Sequence, residues 1–308
     1  MQTILGSSGV IGREVAKNLK DIDNLRLVSR DPVKVNPGDE TFPANLLEAD
    51  KVKIAVEGSE VVYLTVGLPY DKKVWKAQWP VVMQNVIQAC KIHDSKLVFF
   101  DNIYLYGKVD GWIKEDTPIS PVSEKGKVRA RLHHMIMNEV EKGNLTAQIV
   151  RSGDFYGPGA PLSIVNVLVF DNFNKGKKAQ FLATDKTKHS YTYTPDAGKA
   201  TALLGNTPGA YNQVWHLPTD KNVPTGKEFI EKVATEFNVP PSYMLVKKWM
   251  LNMMGVFNKN LAEMIEMIYQ NENDQLLDSS KFEKQFDLSP TPYDQGIKET
   301  VQFMKTVK

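Results

Sequence analysis

Short apolar runs alternate with amphipathic helical patterns along the first half of the chain. Residues 3–5 read as a strand, and Val10, Ile11, Val15, Ala16 and Leu19 recur at helical spacing over 10–19. Residues 25–29 predict the next strand, stopped by Asp31-Pro32. Residues 46–56 look helical, 60–66 form a buried strand, 75–93 a long helix and 96–100 another buried strand. A helix over 123–142 and a strand over 147–151 follow. Strands alternating with helices at this spacing predict a parallel sheet with helices on both faces. Right-handed crossovers then give an α/β fold with a doubly wound parallel sheet.

The texture changes after Arg151. Gly153, Gly157, Pro158, Gly159 and Pro161 predict a loop, followed by an apolar helix over 162–173. Residues 189–194 alternate as a strand, and Asp196 is placed to cap a helix through Leu204. Residues 214–217 form a short strand. Thr225, with Glu228 three residues on, is a capping box opening a helix to Phe237. The remainder is mainly helical and rich in methionine (250, 253, 254, 264 and 267), which suits gap-filling around a core or pocket. There is no internal repeat and no low-complexity segment.

Composition narrows the function classes. The 308 residues carry 38 basic and 36 acidic side chains, net +2, which excludes a polybasic nucleic-acid binder. Apolar content of 42% excludes disorder. Cys90 is the one cysteine, so a disulfide scaffold or cysteine zinc site is impossible. It lies in an apolar helical stretch, where it is expected to pack as a small hydrophobe. No metal is expected, because only His133 and His134 are close in sequence, and adjacent helical residues do not share a face. No apolar run reaches the roughly 18 residues of a membrane span. Without a basic, apolar leader at the N-terminus, the expected location is cytoplasmic, with no membrane partner.

The candidate chemistry begins at Gly6-Ser7-Ser8-Gly9-Val10-Ile11-Gly12, between the first strand and first helix. Gly6 would allow the tight turn. Gly9 would let a pyrophosphate approach the helix N-terminus, where unpaired N–H groups and the dipole favour an anion. Gly12 would let the helix pack on the sheet. The second strand ends at Ser29-Arg30-Asp31. An arginine there accommodates a 2′-phosphate and an acidic residue binds a ribose 2′-hydroxyl. Arg30 comes first, beside Ser29, which favours NADP; Asp31 as ribose ligand would instead mean NAD.

With these residues the chain resembles an atypical extended short-chain dehydrogenase/reductase of the NAD-dependent epimerase/dehydratase family, over almost its whole length. Asn45-Leu46 falls where the family has Asp-Leu or Asp-Ile against the adenine, and Val66-Gly67-Leu68 where it lines the cofactor. Residues 101–107 (DNIYLYG) resemble its Ser-Ser-x-x-x-Tyr-Gly segment, and 151–159 (RSGDFYGPG) its Arg-Pro-x-x-x-Tyr-Gly-Pro-Gly turn. The resemblance implies a Rossmann domain over 1–155, with a contribution from about 189–208. It also implies a second, smaller α/β domain over 156–308 that binds substrate. The implied cofactor residues are Gly6, Ser8, Gly9, Val10, Ile11, Gly12, Ser29, Arg30, Asn45, Leu46, Val66, Gly67, Lys127 and Ser152. Helix pairs such as 74–93 and 123–142 form a homodimer bundle in many relatives, though Lys125, Arg129 and Arg131 would oppose it here.

The family's active site is Ser/Thr with Tyr-x-x-x-Lys. Here Asn102 takes the serine position, Lys127 matches the lysine, and Ser123 stands where the tyrosine belongs. A serine hydroxyl is too short and too weakly acidic to replace a phenol unaided. Tyr104 offers the phenol instead. It lies two residues past Asn102, so an extended backbone would point both side chains one way. The expected catalytic set is therefore Lys127, Tyr104 and Asn102. Lys125, Lys127, Arg129 and Arg131 alternate on their helix and are expected to be mostly solvated. Asp154, Lys186, Lys188 and His189 could add substrate contacts. Two function classes stay open. One is an NAD(P)-dependent oxidoreductase or epimerase-like enzyme on a small carbonyl, hydroxyl or nucleotide-sugar-like substrate. The other is an NADP-binding redox-sensing regulator without catalysis.

Overall fold

The computed structural model describes residues 1–22, 24–255 and 259–307. In chain order the elements are β1 (Gln2–Leu5), α1 (Val10–Asn18), β2 (Leu25–Ser29), β3 (Glu40–Pro43), α2 (Ala49–Val56), β4 (Val61–Leu64), α3 (Lys72–His93) and β5 (Lys96–Asn102). Next come β6 (Trp112–Ile113), α4 (Glu124–Glu141), β7 (Ala147–Ser152), β8 (Asp154–Tyr156), α5 (Asp171–Asn174), β9 (Ala179–Leu182), β10 (Tyr191–Tyr193), α6 (Thr194–Gly205) and β11 (Val214–His216). The chain ends with α7 (Gly226–Phe237), β12 (Tyr243–Val246), α8 (Lys248–Gly255), α9 (Lys259–Ile265), α10 (Tyr269–Glu272), β13 (Leu276–Leu277), α11 (Ser280–Phe286) and α12 (Tyr293–Thr306).

Two compact units result. The first comprises Met1–Leu105, Glu124–Ser152 and Ala197–Leu217. Its seven-stranded sheet runs β11-β7-β5-β4-β1-β2-β3, parallel throughout. β1, β4 and β7 are buried along their full length, as strands covered on both faces of a parallel sheet are, although β1 and β7 also carry polar residues (Gln2, Thr3, Gln148, Arg151 and Ser152). Trp79, Met83, Val86 and Ile87 of α3 pack with Leu64, Leu97 and Phe99 on one side of that sheet. Cys90 joins this core as a small hydrophobe, and burial pushes its thiol up to about 12.

The second unit comprises Tyr106–Ser123, Gly153–Asp196 and Pro218–Lys308, and is about as long as the first. It has three two-stranded parallel ribbons, β8 with β10, β9 with β12 and β6 with β13. Tyr156, Phe170, Phe229 and Tyr293 form its aromatic centre. Met250 and Met264 pack against a smaller cluster around Leu251 and Ile268, and Met267 is buried. Met253 is 63% exposed and fills no gap; the side chain of Met254 lies outside the described residues.

Several element boundaries differ from the sequence pattern for local reasons. β3 reads as polar and contains Pro43, so periodicity predicts no strand there. It forms at the sheet edge, where a proline forfeits least of the ladder. The helix expected from residue 46 starts at Ala49, because Asn45 Oδ1 accepts the Leu47 N–H at 3.2 Å and holds a turn first. α3 starts three residues early, at Lys72, because the Asp71 carboxylate caps the Lys73 and Val74 N–H groups. The apolar helix expected over 162–173 is a π-helical turn over 166–170 leading into α5. Asp196 lies inside the first turn of α6 instead of ahead of it, and its carboxylate accepts from the Thr291 N–H and hydroxyl at 2.7 and 2.9 Å. The capping box at Thr225 and Glu228 is present as read.

Candidate functional site

The chain turns from β1 into α1 through Gly6, Gly9 and Gly12. Gly6 has φ +102°, and a Cβ there would fall 2.4 Å from the Val66 backbone, so only glycine lets the loop pass the end of β4. The Val28 carbonyl accepts the Gly6 and Ser7 N–H groups at 2.8 and 3.1 Å, fixing the loop to β2. A Cβ at Gly12 would lie 2.6 Å from the Gly6 carbonyl. Gly9 differs from both. It is the N-cap of α1 in an ordinary extended conformation, with no side-chain cap, and a Cβ there would meet only the Gly6 carbonyl at 3.4 Å. The fold does not demand glycine at this position. Its missing side chain leaves the N-terminus of α1 open, with no acidic residue in the first turn. Val10 is half-buried and Ile11 buried behind it.

The second strand lies beside this loop. Ser8 Oγ is 2.7 Å from Ser29 Oγ and donates to the Asp31 carbonyl at 2.8 Å. Arg30 is exposed and lines an open cavity of about 220 Å³ with Pro43, Ala44, Asn45, Glu48 and Lys51. Leu46 is buried, and its carbonyl accepts from Asn85 Nδ2 at 2.9 Å. Beyond β4, Val66 is half-buried and Gly67 is exposed with open space around it.

At the carboxyl end of β5, Asn102 pairs in register with Ser152 of β7, which is 1% exposed. The strand ends there and the chain enters a 3-10 turn over Tyr104–Tyr106, so the alternation expected for Asn102 and Tyr104 does not apply. Asn102 Oδ1 accepts the Tyr104 N–H at 3.1 Å, a local turn bond. The Tyr104 ring stacks on Trp75 at 6.3 Å and 15°.

The cations of α4 fall on two faces, which corrects the expectation that most are solvated. Lys127 is exposed and its Nζ lies 2.6 Å from Glu124 Oε1; Arg131 is also exposed. Lys125 is 0% and Arg129 6% exposed. Residues four apart share a helix face, so the four cations divide into a buried and an exposed pair. Lys125 Nζ sits 4.4 Å from the Tyr70 ring centroid. The Arg129 guanidinium lies 4.2 Å from Trp79 and 4.5 Å from Trp75, with Nη1 3.4 Å from Asp101 Oδ1. Arg151 Nε lies 3.5 Å from the other Asp101 oxygen, and Arg151 Nη2 donates to His133 Nδ1 at 2.9 Å. Register makes this cluster, since Asp101 and Arg151 are directly paired across β5 and β7. Desolvation pushes the Asp101 carboxyl up, and the two guanidiniums oppose it. Burial, then Arg151, holds His133 down to about 3, so its ring is neutral. The buried pair of α4 and its aromatic cover were missed by the sequence reading; i, i+4 spacing pairs Lys125 with Arg129 and Lys127 with Arg131 alike and does not say which pair is buried.

In the second unit, Ser123 is buried. His189 Nε2 lies 3.1 Å from Asp154 Oδ2, and its ring stacks on Tyr191 at 4.6 Å. Lys186 and Lys188 are both exposed. Among the described residues, no three His, Cys, Asp or Glu side chains gather as a metal site, and no helix is long and apolar enough to cross a membrane.

Comparison with known proteins bears on these features. The curated UDP-glucose epimerase YtcB of Bacillus subtilis (strain 168), described as uncharacterized, is 24% identical over 170 residues, 52% of this chain and 54% of that one. The dTDP-6-deoxy-L-talose 4-dehydrogenase (NAD(P)(+)) of Kitasatospora kifunensis is 25% identical over 174 residues, 51% and 53% of the two chains. The chain spans about half the length of the curated relatives it matches. Among solved structures, the UDP-glucose 4-epimerase of Thermus thermophilus with NAD superposes at a TM-score of 0.80 and 16% identity, covering 100% of both chains. UDP-glucuronic acid 4-epimerase of Bacillus cereus with NAD gives 0.82 at 15% identity, covering 100% of this chain and 99% of that one. At such identity the likeness is one of fold. The sequence pattern characteristic of the NAD dependent epimerase/dehydratase family matches residues 3–214. With the glycine loop, the parallel sheet and that match in agreement, the chain belongs to the NAD-dependent epimerase/dehydratase family.

Proposed function

We propose that this protein is an NAD(P)-dependent oxidoreductase or epimerase-like enzyme acting on a nucleotide sugar. The observation that carries the reading is the uncapped, acid-free N-terminus of α1 beneath Gly9. A diphosphate there would accept backbone N–H bonds and meet the positive end of the helix dipole. The open cavity beyond β2 supports NADP over NAD, because Arg30 and Lys51 line it against the single carboxylate of Glu48. Asn45 and Leu46 would flank the adenine, and Val66, Gly67 and Ser152 the path toward β5 and β7. A nicotinamide dinucleotide, when bound, supplies hydride exchange with a substrate carbon. The nucleotide-sugar class is taken from the relatives named above, and the second unit is proposed as the one that binds it.

The sequence offers Tyr104 as a phenol for proton transfer, Asn102 beside the substrate oxygen and Lys127 on the ribose hydroxyls; the reading keeps Lys127 on the ribose, because the Tyr104 ring is stacked on Trp75 and Asn102 Oδ1 is taken by the Tyr104 N–H. Lys127 would have to leave Glu124 to do so. An exposed ion pair of this kind is worth about 0–1 kcal/mol, so the cost is small. A homodimer through α3 and α4 also belongs to the reading, since Lys125 and Arg129 are buried and only Arg131 of the three opposing cations stays outside. Sedimentation velocity tests the dimer. Isothermal titration with NADP⁺ and NAD⁺, then turnover of UDP- and dTDP-sugars with the preferred dinucleotide, tests the function. Absence of dinucleotide binding by folded protein overturns it. Ser123 in the tyrosine position favours a second reading, a redox-sensing regulator. Tight dinucleotide binding without turnover of any sugar nucleotide or carbonyl would select it.

A further inference from the structure

The sheet order locates the reacting end of the proposed site. The chain runs outward from β1 to β2 and β3, then returns to add β4, β5, β7 and β11 on the other side of β1. Ligands of such sheets lie outside the carboxyl ends of the strands at this reversal. If the adenine end lies at Arg30 and the diphosphate at Gly9, the nicotinamide end must face β4, β5 and the head of α4. The side chains there include Tyr70, Asn102, Tyr104, Lys125, Lys127 and Arg129. Only Lys125 combines a proton-bearing group with complete burial and a fixed place, its Nζ held 4.4 Å from the Tyr70 ring centroid. The Tyr104 ring lies flat against Trp75, and Asn102 is bonded into its own turn.

We propose that Lys125 gives and takes the proton at the substrate oxygen, and that Arg129, one helical turn on, is its positioning residue. The inference rests on the proposed function and deepens it. In the reducing direction, a reduced nicotinamide dinucleotide, when bound, would supply hydride to the carbonyl carbon, and the C=O π pair would move onto oxygen. The Lys125 ammonium then breaks one N–H bond and passes that proton to the oxygen. The carbonyl would be reduced to an alcohol and the dinucleotide oxidised; in the oxidising direction the neutral Lys125 amine would take the hydroxyl proton back, so the buried group needs no proton from solvent. Arg129 does not react. It is clamped between Asp101 and the faces of Trp75 and Trp79, and so fixes the buried face of α4 and the direction of Lys125.

The test uses the full chain, with dinucleotide affinity read by tryptophan fluorescence and turnover of a panel of UDP- and dTDP-sugars and simple carbonyls. Lys125→Met should lower kcat about 10²–10³-fold, the scale of a lost general acid, with KM and dinucleotide Kd within about twofold. Ethylamine should restore part of the kcat of Lys125→Ala, an effect that a packing role would not produce. Arg129→Met should lower kcat with dinucleotide Kd unchanged, and Arg129→Lys should recover part of it. Arg131→Met, on the exposed face, should match wild type. Should Lys125→Met fail to fold, the Arg129 pair and amine rescue of Lys125→Ala still decide. The proposal falls if Lys125→Met keeps wild-type kcat, if amines rescue nothing, or if Tyr104→Phe alone removes activity. It also falls if a wild type that binds dinucleotide turns over none of the panel. A wild type that binds no dinucleotide instead overturns the functional reading itself.

Discussion

Single residues decide whether the glycine loop holds a ligand or merely turns the chain. Gly6 and Gly12 are required by the backbone, whereas Gly9 has room for a side chain and a φ that any residue tolerates. Gly9→Val should therefore fold normally, with a melting temperature near wild type, and lose dinucleotide binding by at least about tenfold, roughly 1.4 kcal/mol. Unchanged affinity in the folded variant would remove the loop from the site. At the other end of the proposed cofactor, Arg30 lines its cavity together with Lys51. Arg30→Ala should weaken NADP⁺ more than NAD⁺, by an amount typical of a charged hydrogen bond, about 1.5–3 kcal/mol. If the wild type prefers NAD⁺ in the same titration, Asp31 becomes the ribose ligand and the arginine argument is lost.

At the scale of elements, α4 shows how a helix sorts like charges by face. Its inner face carries Lys125, Arg129 and Leu132, and α3 packs against it. His133 is half-buried between these faces, beside Arg151 of β7. Its neutral ring has a folded-state pKa of about 3, against about 6.5 when unfolded. Stability from the neutral form is complete above pH 6.5 and is lost as pH falls toward 3, because the unfolded chain takes the proton first. With partial exposure discounted, the loss should not exceed about 1 kcal/mol per pH unit. Urea unfolding of wild type and His133→Gln across pH 7 to 4 checks this; parallel curves would assign the acid loss to other groups. A second contact joins α6 to α1. A Cβ on Gly198 would come within 2.3 Å of the Glu14 Cβ and 2.7 Å of its carbonyl carbon. Gly198→Ala must push two helices apart, so it should cost about 1–3 kcal/mol in denaturant melts despite alanine's better helix propensity. A stabilised variant would show that α6 shifts freely.

On the scale of the whole molecule, the chain builds two units of similar length and crosses between them repeatedly. The family match ends at residue 214, inside β11, so residues 218–308 of the second unit lie beyond it. Dinucleotide binding is expected to act on the first unit. At a free concentration 100 times Kd it should stabilise the folded protein by about 2.7 kcal/mol, through linkage alone. The transition reported by Trp75 and Trp79, both buried in the first unit, should shift to higher temperature with NADP⁺. A transition that ignores saturating dinucleotide would contradict binding to the native first unit.

Features fixed by near neighbours were legible in the sequence. The strand–glycine–helix passage at residues 3–19, the long α3 and the capping box at Thr225 each depend on residues a few positions apart, where periodicity and capping chemistry act directly. The alternation of strands and helices, and with it the doubly wound sheet apart from its edge strand β3, followed from the same local patterns. Tertiary structure alone decided what depends on distant partners. Asp101 meets Arg151 because β5 and β7 pair in one register, and Arg129 is buried because Trp75 and Trp79 of α3 cover it. Four alternating cations look alike in sequence. Packing of α4 against α3 buries Lys125 and Arg129 and leaves Lys127 and Arg131 in solvent, and a helix's own spacing cannot say which face a neighbour will claim.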